Sequence, residues 1–225
     1  MNSLFPDKYK LTKDQNRRFA RSNLTNLVHT TARFEGVNTT LPQTQTIIDG
    51  LSVAGVSTQD IITIVNLKRG WQFITESELN LSLSFEKQIN KIVAANDSLD
   101  PGEFRTGNGQ VILNDTDYFD PPMVNVSYEK NFLSDISNDK HASITQKAMT
   151  IMYHNMRQQI FWDGNKRTAI LIANKLMIDN GAGLINIPLD KWETWNTLIS
   201  KFYQNNDMTN LLQWTYDNGI QGVSL

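Results

Sequence analysis

The chain has 225 residues, enough to bury a sizeable core as one domain or as a domain with a small appendage. Apolar residues make up 40%, charged residues 20%, and the formal net charge is −2, which gives no electrostatic case for nucleic acid or an anionic membrane as a general partner. Cysteine is absent, which excludes disulfides and thiolate–metal sites and suits a reducing cytosol, and no apolar run approaches the ~18 residues that would span a bilayer.

In chain order, residues 1–10 are polar and charged and read as a loose arm rather than a signal peptide. From about Thr12 to Phe34 the apolar residues Phe19, Leu24, Leu27, Val28 and Ala32 recur at helical spacing, and Gly36 is placed to stop that helix. Thr40 and Gln43 have capping-box spacing for a helix carrying Ile47, Ile48 and Leu51. Longer helices follow from Ser57 to about Thr75 and from Ser82 to about Ala95. Residues 97–125 break the helical rhythm with Pro101-Gly102, Gly107-Asn108-Gly109 and Pro121-Pro122. Between them Gln110-Val111-Ile112-Leu113 is the one convincing β-forming run, expected to pair with Glu103-Phe104-Arg105-Thr106 in a short hairpin. Helices resume near Val126–Ser137 and Ser143–Gln159. A further helix reaches Asn180-Gly181, Leu184 to Pro188 is extended, and two last helices cover about Trp192–Gln204 and Met208–Tyr216. No repeat or linker divides the chain, so one all-α domain over 1–225 is expected, with N-terminal helices over 1–50 and a core over about 51–220.

The stretch from Gln159 to Thr168 organises this pattern. Asp163-Gly164-Asn165 reads as a turn, and the apolar run from Ala169 to Ile178 reads as a buried helix. A polar turn that feeds a helix N-terminus presents free backbone N–H groups and the positive end of the dipole, a place for phosphate. Lys166 and Arg167 put cations in the first turn, where the dipole alone would favour acids. Asp163 beside a phosphate is a candidate Mg²⁺ ligand. Taken alone, these ten residues read equally as a phosphate site and as an ordinary turn with a solvated Lys-Arg pair. The histidines at 29, 141 and 154 have no metal-ligand spacing.

The stretch resembles the Fic/Doc signature H-x-F-x-[DE]-[GA]-N-[GK]-R, with Phe161, Asp163, Gly164, Asn165, Lys166 and Arg167 matching. Gln159 stands where the family has its catalytic histidine. Ile170 stands where many adenylylating members have a second arginine. The lysine followed by Thr168-Ala169 is common in the Doc-like branch. The resemblance extends over about residues 25–220 and implies a helical bundle with a central buried helix and a small hairpin flap. Within that flap Arg105, Thr106, Val111 and Ile112 would align a protein target by strand pairing; without the family, an incidental surface hairpin is the plainer reading. A second motif, Thr31-x-x-x-Glu35-Gly36, fits the family's inhibitory pattern, and with Ile170 unable to pair, Glu35 is left with Arg167 or Lys166. A helix that simply ends in Glu-Gly is the plainer reading of those residues.

The implied activity is transfer of AMP from ATP, with Mg²⁺, to a protein hydroxyl; Doc-like members transfer the γ-phosphate instead. Asp163 would be the metal ligand, and Gly164, Asn165, Lys166 and Arg167 would hold the phosphates. An amide at Gln159 cannot act as a base near neutral pH, and general-base help is worth roughly 10²–10⁴-fold. A non-catalytic nucleotide-binding module is therefore the alternative. The implied partners are a nucleotide and a protein target, a homodimer is left open, and a cytoplasmic location is expected.

Overall fold

The computed structural model describes residues 3–113 and 117–224. Ten α-helices lie among them, with two short antiparallel strand pairs. The first helices are α1 (Lys13–Ser22), α2 (Leu24–Ala32), α3 (Leu41–Ile48), α4 (Thr58–Glu76) and α5 (Leu83–Val93). Then come β1 (Val111–Ile112), β2 (Tyr118–Phe119), α6 (Val126–Asn138), α7 (Ile144–Gln158) and α8 (Asn165–Asp179). β3 (Leu184–Ile185), α9 (Trp192–Asn205), α10 (Thr209–Gly219) and β4 (Ile220–Gln221) complete the chain.

The capping residues explain most of the helix starts. Thr12, Thr40, Ser57, Ser82, Asn125 and Ser143 each accept a bond from the N3 backbone N–H, and Thr12 and Thr40 complete capping boxes with Gln15 and Gln43. The single helix expected from Thr12 to Phe34 is two helices. Asn23 divides them, because its side chain donates to the Phe19 carbonyl at 2.8 Å and closes α1.

α8 is the core. Its apolar residues face several sides, and Ala169, Leu171, Ile172, Ala173, Met177 and Ile178 are all fully buried. α7 and α5 pack along it, α4 and α1 cover further sides, and β3 lies across it. The polar residues on this helix are satisfied. The Asn174 amide donates to the carbonyls of Ile170 and Ile185 at 2.9 Å and accepts from the Ile185 N–H, fixing β3 against the helix. β3 then pairs with β4, in the register Leu184 to Gln221 and Ile185 to Ile220.

Two expectations are corrected here. Residues 3–11 are a strap, not a loose arm. Phe5 and Leu11 are buried, the Asp7 carboxylate accepts from the Thr145 N–H and hydroxyl at 2.8 Å, and the Leu11 N–H donates to Gly181. Gly181 has φ +69, and a Cβ there would meet the Leu11 carbonyl oxygen at 1.7 Å. Scattered apolar residues in a charged stretch are a faint sequence signal, and the strap's hold comes from backbone bonds and a helix cap. The hairpin also pairs differently. β1 joins β2 downstream, Val111 opposite Phe119 and Ile112 opposite Tyr118, because the 103–106 segment is already engaged: Phe104 bridges to Phe161 and the Arg105 N–H donates to the Ile160 carbonyl.

Candidate functional site

α7 ends in a left-handed residue, Gln159, at φ 49 and ψ 51. Its backbone carbonyl accepts the Arg105 Nε at 2.6 Å, and its side-chain amide donates back to the Met156 carbonyl at 2.6 Å. The Tyr203 hydroxyl donates to the same carbonyl at 2.8 Å and interacts with the Gln159 amide. Residue 159 is thus held as a helix cap, with its amide folded onto α7.

The loop after it is braced from inside. The Asn165 side chain donates to the Phe161 carbonyl and accepts from the Phe161 N–H, both at 2.9 Å, closing the turn on itself. Asn90 of α5 donates to the Asp163 carbonyl at 2.8 Å and to the Thr168 hydroxyl at 3.1 Å, while its own oxygen accepts from Gly102. Gly164 sits at φ 70, and a Cβ there would lie 2.7 Å from the Ala94 methyl. The loop therefore packs directly on the end of α5. α8 follows this glycine with no side-chain cap and no acidic residue in its first turn, so no capping side chain takes its leading N–H groups.

Arg167 is fully buried and heavily engaged. Nη1 donates to the Val93 carbonyl at 2.6 Å and to Asp97 at 2.7 Å, and Nη2 to Asp163 at 3.1 Å. Nε lies 2.8 Å from Glu35, as an ion pair whose N–H is not aligned for a hydrogen bond. Burial works against the charged guanidinium, yet Glu35, Asp97 and Asp163 more than offset it and raise its pKa. Glu35 moves the other way from a typical paired acid: burial raises its pKa, and Asp163 and Asp97 add to the rise against the pull of Arg167 and Lys166. Burial lowers the pKa of the Lys166 amine, with Glu35 opposing.

Glu35 enters from a 3₁₀ turn, Arg33–Glu35, beyond the end of α2. Phe34 anchors this turn, its ring 5.3 Å from Trp192 and 5.1 Å from Trp195 of α9. Gly36 closes it at φ 74. Thr31 stays in the core, where its hydroxyl donates to the Leu27 carbonyl at 2.6 Å and accepts from Trp71 Nε1 at 3.3 Å.

These parts surround a cleft of about 330 Å³ whose walls include Glu35, Gln110, Ile112, Gln159, Asp163 and Lys166. Gly164, Asn165, Val111 and Trp162 also line it. Arg105 and Thr106, read as flap residues, are not among the lining residues. Arg105 is 3% exposed and ties residue 159 to Gly107 and Pro122, while Thr106 is exposed. Ile170 is buried in the core and brings no cation to the cleft. His154 faces Glu129, and His29 contacts Thr44, so neither histidine enters.

Asp163 is 45% exposed on its side chain and holds the Gly164 N–H and Arg167 through one oxygen. Its other oxygen can serve Mg²⁺, which takes one or two carboxylates and completes its shell with phosphate and water. Among the described residues no group of three or more His, Cys, Asp or Glu could hold a metal unaided.

Residues 80–177 match the Fic/DOC family. A Fic/DOC domain is thus matched over a little under half of the chain. The matched segment runs from just before α5 into α8 and so contains the strand pair, α6, α7 and the signature loop. The Fic fold extends over most of the chain. A Fic domain containing signaling protein from Bacteroides thetaiotaomicron superposes with a TM-score of 0.78 at 17% identity, over 92% of this chain and 86% of that one. Fic-1 from C. elegans gives 0.72 at 22% identity, over 91% of this chain and 62% of that chain. A Fic family protein from Desulfovibrio desulfuricans gives 0.73 at 14%, over 89% and 63%. No curated protein sequence matches. Glu35 and the N-terminal helices lie outside the Fic/DOC segment, and they reach its signature loop through Arg167.

Sequence reasoning missed Asn90, Asp97, Phe34 and Tyr203. Asn90 had a signal: it is a buried-face polar residue, four positions after Glu86 and three before Val93 on one helix stripe. Asp97 and Tyr203 had none, since only tertiary structure brings them to the loop.

Proposed function

We propose that this protein binds the phosphates of ATP with Mg²⁺ at the start of α8, as a Fic/DOC protein of the adenylyltransferase type whose transfer step is impaired. The backbone N–H groups of Asn165 and Lys166 donate to phosphate oxygens, and the Lys166 ammonium supplies charge. Asp163 carries the metal, which when bound neutralises phosphate charge and orients the chain of phosphates. Gln110 and the β1 residues Val111 and Ile112 edge the cleft, and the outer side of β1 takes an extended protein segment by strand addition. A hydroxyl on that segment is the acceptor of AMP, and pyrophosphate leaves.

One observation carries the word impaired. The side chain at the base position is an amide folded back on Met156, and an amide does not take the hydroxyl proton near neutral pH. The engaged state of Arg167 points the same way, since three carboxylates already hold the guanidinium.

The deciding experiment incubates the protein with α-labelled and γ-labelled ATP, Mg²⁺ and host lysate, beside calorimetric titration with ATP–Mg²⁺. Binding with little or no label transfer supports this reading. Robust transfer of the α label would show that residue 159 is no defect, and transfer of the γ label would move the protein to Doc-like phosphorylation. Absence of binding by both wild type and a Glu35→Gly variant would refute the nucleotide site.

A further inference from the structure

The side of α6 that faces the protein mixes apolar Phe132, Leu133 and Ile136 with a buried carboxylic acid. Glu129 and Leu133 are its buried residues. Glu129 meets His154 of α7 at 2.6 Å, and the imidazole lies flat on Phe132 of α6, ring centroids 3.5 Å apart and planes 12° apart. Glu86 of α5 completes the cluster. It is 2% exposed, and among the described residues neither its Oε2 nor the buried Asn155 Nδ2 has a hydrogen-bond partner.

The groups that act on the Glu86 carboxyl are Asn155 from α7 and Glu129 from α6. On the α8 side, Lys175 lies over the neighbouring Phe85 ring and is bound to Asp179. Among the described residues no lysine or arginine forms an ion pair with Glu86 or Glu129. Two carboxyl groups and one imidazole thus share a buried junction of three helices. Two acids in such a place do not both ionise without disrupting it.

We propose that Glu86, Glu129 and His154 form a protonation latch that holds α6 against α5 and α7, closed while Glu86 keeps its proton and opened when the proton leaves to solvent. Burial pushes the Glu86 carboxyl up to about 8, with Glu129 adding to the rise and Asn155 opposing it. An acid raised in the closed form favours closure fully below the ordinary carboxylate range, and that advantage disappears as pH rises through about 8. Beside this junction, α6 is held by buried Leu133 and by half-buried Phe132 and Ile136. The junction also matters for the cleft. From His154, α7 reaches Gln159 in roughly 7.5 Å of helix rise, so the latch stands little more than one turn behind the signature loop.

Hydrogen exchange of the full chain at pH 5.5 and 8.5, corrected for intrinsic rates, tests this. Protection of the Val126–Asn138 amides should fall by at least about tenfold at the higher pH, with α8 unchanged. Glu86→Gln, neutral at both values, should keep α6 protected throughout. Constant protection in wild type, or an equal fall in Glu86→Gln, overturns the latch. Should that variant fail to fold, titration of the Glu86 carboxyl carbon resonance in wild type decides: a midpoint well above the ordinary carboxylate range supports the latch, and one within it rejects the latch.

Discussion

Asp97 holds Arg167 at 2.7 Å, and this contact ties the loop after α5 to the first turn of α8. The guanidinium is fully buried among three carboxylates and a carbonyl, so its first duty is structural. Arg167→Ala should therefore destabilise the fold by roughly 3–5 kcal/mol, the usual cost of orphaning buried charge. Urea unfolding measures it. A loss below about 1 kcal/mol would show that the carboxylates find other partners. Weak nucleotide binding by this variant, read without that control, would mislead.

Asn90→Ala should cost about 1–3 kcal/mol, since it leaves the Asp163 carbonyl and the Gly102 N–H without their partner. The effect should extend to the cleft, because the freed carbonyl lies within the signature loop. ATP affinity and thermal stability should fall together. A stability loss with unchanged affinity would mean that Asn165 alone keeps the loop in shape.

Glu35 places a carboxylate on the wall of the cleft, close to where phosphates would lie. Glu35→Gln removes the charge and keeps the shape. Nucleotide affinity should rise roughly tenfold or more, from about 1–3 kcal/mol of relieved repulsion at an effective dielectric near 20. Titration calorimetry of both proteins reads the difference, and equal affinities would make the 3₁₀ turn a plain helix ending.

Gln159→His should raise AMP transfer toward the ~10²–10⁴-fold range of general-base help. Histidine accepts the left-handed backbone better than most residues, so the turn should survive. The gain should fall short of the full range, because Ile170 leaves the outer phosphates without a second arginine. Label incorporation by wild type, Gln159→His and Gln159→His/Asp163→Ala is the measurement. No gain, with ATP shown to be bound, would place the defect beyond this residue.

Much of this was readable from the chain. Caps at Thr40, Ser57, Ser82 and Ser143 and the all-round apolar character of 169–178 give the helices and the buried centre, because these are local effects of spacing and hydrogen bonding. The turn at 163–165 that feeds the buried helix was legible for the same reason. What stayed hidden is tertiary. Nothing in Phe104-Arg105 shows that its backbone pairs with residues 160 and 161, and β1 took its partner from downstream as a result. Arg167 reads as a free cation in sequence and is sequestered in the fold by acids 132, 70 and 4 positions away.

The N-terminal strap has a consequence for kinetics. Its bonds join Asp7 to Thr145 and Lys8 to Tyr216 across separations of 138 and 208 residues. Links of such span close only after the body has assembled, since a chain cannot gain from them until both ends are already in place. Interactions formed after the rate-limiting step leave the folding rate nearly untouched and act on unfolding. The strap is therefore a buckle fastened last. A version of the protein beginning at Thr12 should fold at a similar speed and come apart faster.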